Sequence, residues 1–369
     1  MSLPSGRPRG PRVVVVVDRA GDRLPADTAD QVAAGWTARS PHVDAAAFSS
    51  HDGGAGFAAV VAERLGATLH PVVVPGPTGA DVPAAIAVVP DAGGGTAYLD
   101  TAQVAGRHLV DADRLRDPEG MTSAGVGRLL ALARGTGVRR IVVGVGPLAC
   151  HDGGVGLLAE LGAGEDLAGL RAVRDDWAGT QLVLATTTES ALLGFSGASA
   201  SLGDLGVAPA VTQRLETSLG ELSDHVNTVL PPPRDLLTGL PRRPERAAGA
   251  GAGGGVGYAL QLLGARTDTG ARLLLDELGI RPLLPGALLV LVTDTYDHHT
   301  VHEGVVADTA RAALETATPT VVLAREVAVG RREGMSLGIS GSYGLRPGED
   351  LAALAGRVAR TWTPAPPTT

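Results

Sequence analysis

The chain has 369 residues, more than one ordinary hydrophobic core holds, so we expect two domains. Its 44% hydrophobic and 19% charged residues exclude an intrinsically disordered protein, and its net charge of -8 with scattered basic residues argues against nucleic-acid binding. The single cysteine excludes an internal disulfide bond. No apolar run approaches the roughly 20 residues of a membrane span, and no signal core follows the N-terminus, so we predict a cytoplasmic protein without membrane contact.

The first predicted elements alternate between strand and helix. Residues 12–17, RVVVVV, predict a buried strand that ends at Asp18, and a helix is expected over about residues 26–39. A short strand ends near Phe48, and the next helix ends at Gly66. This β-α-β-α order predicts a parallel sheet. Ligands gather at the carboxyl edge of such a sheet, where Asp18 would lie.

The middle of the chain has a different pattern. Residues 72–111 contain short β-rich pieces around PDAGGG, which indicates a hairpin in a mixed sheet and a second domain. A Pro-rich and then Gly-rich segment, residues 231–257, is the strongest indication of a domain boundary. Further helices are predicted over 122–133, 210–230, 258–264 and 301–315, and further strands over 140–143, 181–186, 288–292 and 320–323.

The sequence HDGG occurs twice, at residues 51–54 and 151–154, each time between a predicted strand and a predicted helix. Asp52 and Asp152 are candidate helix caps, because an aspartate at this position accepts hydrogen bonds from the free amides of the first turn. The alternative is that the bare glycine amides bind phosphate, with Mg²⁺ beside each carboxylate or with the carboxylate acting as a base. The glycines concerned are Gly53, Gly54, Gly153 and Gly154.

A third glycine-rich segment, residues 249–257, directly precedes a predicted helix. It lacks the Gly-Lys-Ser/Thr of a Walker A motif, and G-x-G-x-x-G spacing is trivial in so glycine-rich a run. Because a merely flexible run would seldom end directly in a helix, we predict that these amides bind phosphate or a nucleotide. The glycines concerned are Gly249, Gly251, Gly253, Gly254 and Gly255.

The segment 294–303, DTYDHHTVHE, follows a predicted buried strand and contains three histidines. On a helix, His298 and His302 would share one face, as zinc ligands do. However, the order does not match H-E-x-x-H, and the helix is expected to begin only at Thr300. Ordinary polar loop residues are therefore favoured over a zinc site.

The one cysteine, Cys150, directly precedes His151. A thiol and imidazole in contact would make a nucleophile, but sequence neighbours point in different directions. A small cysteine at the end of a strand is more typical of buried packing, which is the prediction here.

Four motifs together resemble the class I glycerate kinase family, in one order and without gaps. The family's A-D-G-G-E-G-T is similar to residues 51–57, and its G-T-G-E-L-I to residues 125–130. Its G-L-G-G-S-A-T-N-D-G-G aligns with residues 144–154, and its P-G-A-G-A-A-G-G-L-G with residues 248–257. The four matches in order are far more specific than any one of them.

The resemblance implies an α/β fold of two domains. One is a discontinuous Rossmann-like domain with a parallel sheet, expected from residues 1–75 and 285–369, and the other is an inserted mixed α/β domain, expected from residues 76–284. It also implies phosphorylation of the hydroxyl of glycerate or a similar small hydroxy acid, with ATP and Mg²⁺ as cofactors meeting the acid in a cleft. A homodimer is an open expectation.

The implied site uses four carboxylates. Asp18, Asp52, Asp152 and Asp297 are the candidates for accepting the hydroxyl proton or binding metal, and of these Asp52 and Asp152 are the expected Mg²⁺ ligands. The family's Ser-Phe-Lys-Gly after the first aspartate is Arg-Ala-Gly-Asp at residues 19–22, so the lysine that holds phosphate is missing. The alternative function is therefore an inactive relative that binds a metabolite or a partner.

Two further segments depart from the family motifs. Residues 147–151 lose three polar side chains of the family motif, and the segment 293–304 is two residues shorter than in the family. Arg128 stands where the family has glutamate and is the expected substitute for the missing cationic clamp. A hydrolase built on residues 298–303 is a distant third function.

Overall fold

The computed structural model describes residues 10–18, 25–234 and 236–363. They form two compact units: unit 1 combines the described residues up to His51 with those from Ala271 onward, and unit 2 is Asp52–Gly270. Residues 19–22, where the family's lysine is missing, lie outside the described part of the chain. None of the described helices is long and apolar enough to cross a membrane.

The strands of the two units follow in chain order. They are β1 Arg12–Val17, β2 Asp44–Ser49, β3 Thr68–Pro75, β4 Asp81–Val89, β5 Thr96–Asp100, β6 Arg140–Val145, β7 Gln181–Thr186, β8 Arg266–Thr269, β9 Leu288–Tyr296, β10 Thr320–Val327 and β11 Ile339–Gly344. The helices are α1 Pro25–Arg39, α2 Phe57–Leu65, α3 Ala102–Ala105, α4 Ala112–Leu115, α5 Ala124–Gly135, α6 Val155–Leu158, α7 Leu170–Trp177, α8 Pro209–Val229, α9 Val256–Leu262, α10 Gly270–Glu277, α11 His298–His302, α12 Gly304–Glu315, α13 Arg331–Ser336 and α14 Leu351–Trp362.

Unit 1 is built on a parallel sheet with the order β11-β10-β9-β1-β2. β1 and the first halves of β9 and β10 are apolar and buried, because helices cover both faces of the sheet there. Along β1, Val14 and Val16 face the core shared with α10 and α12, whereas Val13, Val15 and Val17 face α1 and α14. The valine run of the sequence is thus a strand buried on both sides, as predicted.

The strand order of unit 1 defines where a ligand would bind. Numbered within the unit, the order is 2-1-3-4-5, which is the flavodoxin-like order rather than the 3-2-1-4-5-6 of the Rossmann fold. The order reverses between β1 and β9, and in such sheets ligands bind at the carboxyl ends of the strands beside this switch point. Asp18, at the end of β1, lies there, and its amide donates to the carbonyl of Val292 on β9 at 3.0 Å.

Unit 2 is built on a mixed sheet with the order β3-β4-β5-β6-β7-β8. β3, β4 and β5 pair antiparallel, and β5 to β8 pair parallel. The mixed sheet predicted around PDAGGG is confirmed. One large core, rich in leucine, valine and alanine, fills the unit.

The unit boundaries differ from the expected 75/76 and 284/285. The structure places β3 in unit 2, because the whole strand pairs with β4, and it places α10 in the core of unit 1 through Ala271 and Leu275. The Pro-rich and Gly-rich segment 231–257 is not a boundary, since it joins α8 to α9 within the core of unit 2.

The two ends of unit 2 touch each other. A Cβ atom at Gly270, its last residue, would overlap the backbone of Asp52, its first residue. Only glycine allows this approach of the two connections.

Candidate functional site

The second HDGG turn, after β6, is tied together by Asp152. One carboxylate oxygen, Oδ1, accepts from the amide of Gly154 at 3.0 Å. The other, Oδ2, accepts from the amide and hydroxyl of Ser123 at 2.8 and 2.9 Å and from the amide of Gly156 at 3.1 Å. Three of the four donors share Oδ2, whereas Oδ1 accepts a single hydrogen bond. Asp152 thereby joins the turn to the start of α5, and this geometry favours a structural role over Mg²⁺ binding.

The first HDGG turn repeats only part of this network. Oδ1 of Asp52 accepts from the amide of Gly54 at 2.9 Å, as Asp152 does from its own second glycine. The amide of Gly56, however, donates to Oδ2 of Asp100 at 2.7 Å. Asp100 ends β5, is only 4% exposed, and accepts from the amide of Ala102 through Oδ1. In the first turn, the amide equivalent to that of Gly156 is therefore bonded by an aspartate of another strand, β5, and not by the aspartate of its own turn.

Neither aspartate is the residue that caps a helix in the usual position. α2 and α6 begin after Gly56 and Gly154, which both adopt left-handed backbone conformations without a side-chain cap. Asp52 bonds the amide of Gly54, in the turn before α2. Asp152 bonds the amides of Gly154 and of Gly156, the second residue of α6, so the expected bond to a first-turn amide is present for Asp152 alone, from two residues before the N-cap position.

The three glycine-rich segments of unit 2 meet at the carboxyl end of β6. A Cβ atom at Gly146, just beyond β6, would lie 2.8 Å from the Cα atom of Gly54. A Cβ atom at Gly254, where φ is 66°, would overlap the carbonyl oxygen of Cys150. Both HDGG turns and the 249–257 segment therefore pack backbone to backbone, and glycine is required at these contacts.

At least four of the nine glycines predicted to bind phosphate use their amides within unit 2. They are Gly54 and Gly154, bonded to the aspartates of their own turns, Gly153, bonded to the carbonyl of Gly254 at 3.0 Å, and Gly251, bonded to the carbonyl of Ser190 at 2.9 Å. An amide engaged in this way cannot donate to phosphate without leaving its present acceptor unsatisfied. Close packing of the turns accounts for the presence of glycine at these four positions.

A run of hydroxyl groups follows β7 at the same edge. Oγ1 of Thr188 and Oγ of Ser190 lie 2.9 Å apart, and Oγ1 of Thr186 donates to the carbonyl of Thr188 at 2.9 Å. The methyl group of Thr187 is what a Cβ atom on Gly54 would meet, at 3.3 Å. Hydroxyls therefore border the first HDGG turn.

The pair Cys150 and His151 is buried and uncharged at neutral pH. Burial raises the pKa of the Cys150 thiol well above its usual value. Burial also lowers the pKa of His151 to about 4, although Glu216 acts in the opposite direction, and its Nε2 lies 3.0 Å from Oγ of Ser199. The prediction that this cysteine is a packing residue is confirmed.

Arginine is the only strongly basic residue type available to a phosphate site. All 31 basic residues are arginine, since the sequence contains no lysine. Arg107 is half-buried beside the loop after β6, and its Nε donates to the carbonyl of Leu148 at 3.3 Å. Burial lowers the pKa of its guanidinium, and Asp204 acts in the opposite direction. Arg128, the expected substitute, is 53% exposed and lies 3.9 Å from Glu160.

Two residues of this edge escaped the sequence-based prediction. Asp100 ends β5 directly, as Asp18 follows β1, so an acid at a strand end was the available signal. Arg107 had no motif of its own. The lack of lysine in the whole sequence was the signal that arginines near strand ends needed attention.

Asp18 and Asp297 lie in unit 1. Asp297 caps α11: its Oδ1 accepts from the amide of Thr300 at 3.0 Å, and its own amide donates to the hydroxyl of Thr300 at 2.8 Å. The bond from the Thr300 amide lowers the pKa of Asp297. The helix begins at His298, two residues earlier than expected, and Asp297 has a clear structural role.

Comparisons with known proteins agree on one family. The model of the glycerate kinase family matches residues 13–360. An uncharacterized protein of Mycobacterium bovis is 35% identical over 346 residues, which are 92% of this chain and 85% of that protein. The glycerate 2-kinase of Escherichia coli is 28% identical over 336 residues, 85% of this chain and 84% of that enzyme.

A solved structure agrees with the same assignment. A crystal structure described provisionally as glycerate kinase 2 from Salmonella typhimurium LT2 matches with a TM-score of 0.72 and 25% identity, covering 95% of this chain and 96% of that one. The predicted α/β fold with a parallel and a mixed sheet is confirmed, and family membership supports assignment as a phosphotransferase. With the family model matched over nearly the whole sequence, this chain belongs to the glycerate kinase family.

Proposed function

We propose that the protein transfers a phosphoryl group from ATP, with Mg²⁺, to the hydroxyl of glycerate or a similar small hydroxy acid. The observation that carries this proposal is the match to the glycerate kinase family over residues 13–360. ATP supplies the phosphoryl group, and Mg²⁺ neutralises part of the charge on the phosphates. The protein's contribution is therefore to position the reactants and to stabilise the transferring group electrostatically.

Two carboxylates fit Mg²⁺ better than the other two candidates. Mg²⁺ takes oxygen ligands and retains several waters, so a partly exposed carboxylate suits it. Asp18 and Asp52 are both partly exposed and follow strands of the parallel sheet. Asp152 already accepts four hydrogen bonds and Asp297 caps α11. We therefore assign metal binding or proton acceptance to Asp18 and Asp52, and structural roles to Asp152 and Asp297.

The phosphate and the substrate carboxylate need cationic or amide donors. We assign this role to Arg107, because it is half-buried at the carboxyl edge of the mixed sheet and is held against the loop after β6. Arginine forms paired hydrogen bonds with carboxylate and phosphate groups. Of the glycine amides, those of Gly249 and Gly253 stay as candidate phosphate donors.

The test is ADP formation by the purified full-length protein with Mg²⁺·ATP and D-glycerate, followed by identification of the phosphorylated product. Calorimetric titration of Mg²⁺·ATP into the wild-type protein and into Asp52→Asn separates binding from turnover. We expect glycerate-dependent ADP release that Asp52→Asn loses. Absence of both nucleotide binding and turnover, across glycerate and related hydroxy acids, would refute the proposal.

A second candidate function is a non-catalytic metabolite-binding protein. It is favoured by the lack of lysine and by the commitment of Asp152 to four protein donors. Binding of Mg²⁺·ATP or glycerate without any turnover would support it over the kinase. A cytoplasmic location and a homodimer stay predictions from the sequence.

A further inference from the structure

Three metal-ligating side chains of unit 1 converge on one point. The imidazole nitrogens of His298 and His302 and a carboxylate oxygen of Glu333 all lie within 4.8 Å of one another. Nδ1 of His298 is 2.7 Å from Oε1 of Glu333, and the two imidazole rings lie edge to face with centroids 4.4 Å apart. Two elements far apart in sequence, α11 and α13, therefore contribute to one cluster.

The fold positions both contributing elements at the end of β9. The capping box of Asp297 and Thr300 sets the start of α11, so His298 and His302 are one helical turn apart on the same face. In α13, Glu333 precedes Gly334, and a Cβ atom at Gly334 would lie 2.8 Å from the hydroxyl oxygen of Tyr296, the last residue of β9. Close packing at Gly334 thus holds Glu333 beside the histidines.

The types of ligand and their exposure to solvent suit a metal ion of intermediate softness, such as zinc. Two imidazoles and one carboxylate, with a fourth position left to water, are the ligands of open zinc sites in proteins. His298 is 80% exposed at its side chain and Glu333 37%, so an ion would enter from solvent. Tetrahedral zinc places its ligand atoms about 3.3 Å apart, and the three ligand atoms of the cluster lie within 4.8 Å of one another.

We propose that His298, His302 and Glu333 form a binding site for a divalent transition metal of the zinc class. The ion replaces the hydrogen bond between His298 and Glu333 and joins α11 to α13, with water as the remaining ligand. Imidazole ligands favour zinc-class ions over Mg²⁺, so this site is separate from the nucleotide-associated ion. The proposal concerns unit 1 alone and is independent of phosphoryl transfer.

The test uses the full chain without an affinity tag, after treatment with a chelator. Co²⁺ is added as a spectroscopic substitute for zinc, the visible absorption of the bound ion is recorded, and Zn²⁺ is then titrated as a competitor. We expect one equivalent of Co²⁺ to bind with a tetrahedral spectrum and Zn²⁺ to displace it. His302→Ala and Glu333→Gln should each weaken Zn²⁺ binding more than about tenfold, since even outer partners of metal ligands contribute this much.

His299→Ala is the matched control, because His299 is exposed on the same helix and is not part of the cluster. It should bind Zn²⁺ and Co²⁺ as the wild type does. Equal losses in His299→Ala and His302→Ala, no loss in Glu333→Gln, or no cobalt spectrum in the wild type would each overturn the proposal. Circular dichroism and the melting temperature check that each variant is folded, and Glu333→Gln keeps the side-chain shape should His302→Ala unfold.

Discussion

Gly56 donates its amide hydrogen to Asp100 at 2.7 Å, a bond that ties the first HDGG turn to the end of β5. The equivalent amide in the second turn, that of Gly156, donates to Asp152 of its own turn. The two copies of one sequence thus differ in backbone conformation as well as in bonding, since the left-handed residue before the helix is Gly56 in the first turn and Gly154 in the second. Each turn also has a partner elsewhere in the chain, Asp100 for the first and Ser123 for the second.

The four hydrogen bonds that Asp152 accepts predict a clear loss of stability in Asp152→Asn. The amide nitrogen of asparagine cannot accept, so bonds from Ser123 or from the turn amides are lost, and we expect about 2 kcal/mol less free energy of unfolding. Urea denaturation at pH 7 measures the change. Asp224→Asn, exposed on α8, is the control and should be near neutral. Unchanged stability of Asp152→Asn would contradict the structural role of this carboxylate and make it a candidate metal ligand again.

A second prediction concerns Gly254→Ala. The added methyl group would overlap the carbonyl oxygen of Cys150, and φ of 66° disfavours any other residue. We expect destabilisation of at least about 2 kcal/mol in urea denaturation. Gly203→Ala is the control, because a Cβ atom there meets open space. Equal stability of both variants would contradict the packing of the 249–257 segment on the second HDGG turn.

A third prediction concerns pH. The pKa of His151 is about 4 in the folded protein and near 6.5 in an unfolded chain, so below about pH 6.5 the unfolded state binds more protons. Stability should therefore fall as the pH drops from 7 towards 4, by up to about 3 kcal/mol from this residue.

Urea denaturation at pH 7 and pH 5 measures this loss. His151→Gln keeps a polar group near Ser199 but does not titrate, so its stability should change less between the two pH values. His70→Gln, exposed on β3, serves as the control and should retain the wild-type pH dependence. Identical pH dependence in wild type and His151→Gln would show that other groups govern acid sensitivity.

A fourth prediction rests on the proposed kinase activity. Arg107→Gln removes the half-buried cation beside the loop after β6, and we expect KM for the hydroxy acid to rise about tenfold, with a smaller effect on kcat. Steady-state kinetics measure both constants, and the melting temperature checks the fold. Arg116→Gln, an exposed arginine paired with Asp113, should behave as the wild type. An unchanged KM in Arg107→Gln would remove this residue from the site.

Local patterns were sufficient for the elements but not for their assembly. The run at Val13–Val17 and the helix ending before Gly66 follow from side-chain type and turn chemistry, and both are present. The strand order of unit 1 and the placement of β3 depend on pairing between distant segments. The Pro-rich segment 231–257 misled because its composition is typical of linkers, whereas its ends are held in one core.

The candidate site shows the same limit. The repeated HDGG sequence identified two turns in which the aspartate bonds the amide of its second glycine, because an aspartate followed by glycines has a local hydrogen-bonding role. How many donors each aspartate receives depends on Ser123, 29 residues from Asp152, and on Asp100, which bonds Gly56 across 44 residues. Such partners follow only from the packed sheet.

The contact between Gly270 and Asp52 also bears on how this architecture arises and changes. The two ends of unit 2 are in contact, so its removal would leave only a short gap between β2 and α10. Unit 2 therefore has the geometry of an inserted domain. A five-stranded flavodoxin-like chain accepts such a domain through a single insertion event, without reordering any strand. The same adjacency makes residues 52–270 a natural segment for circular permutation or for exchange between members of the family.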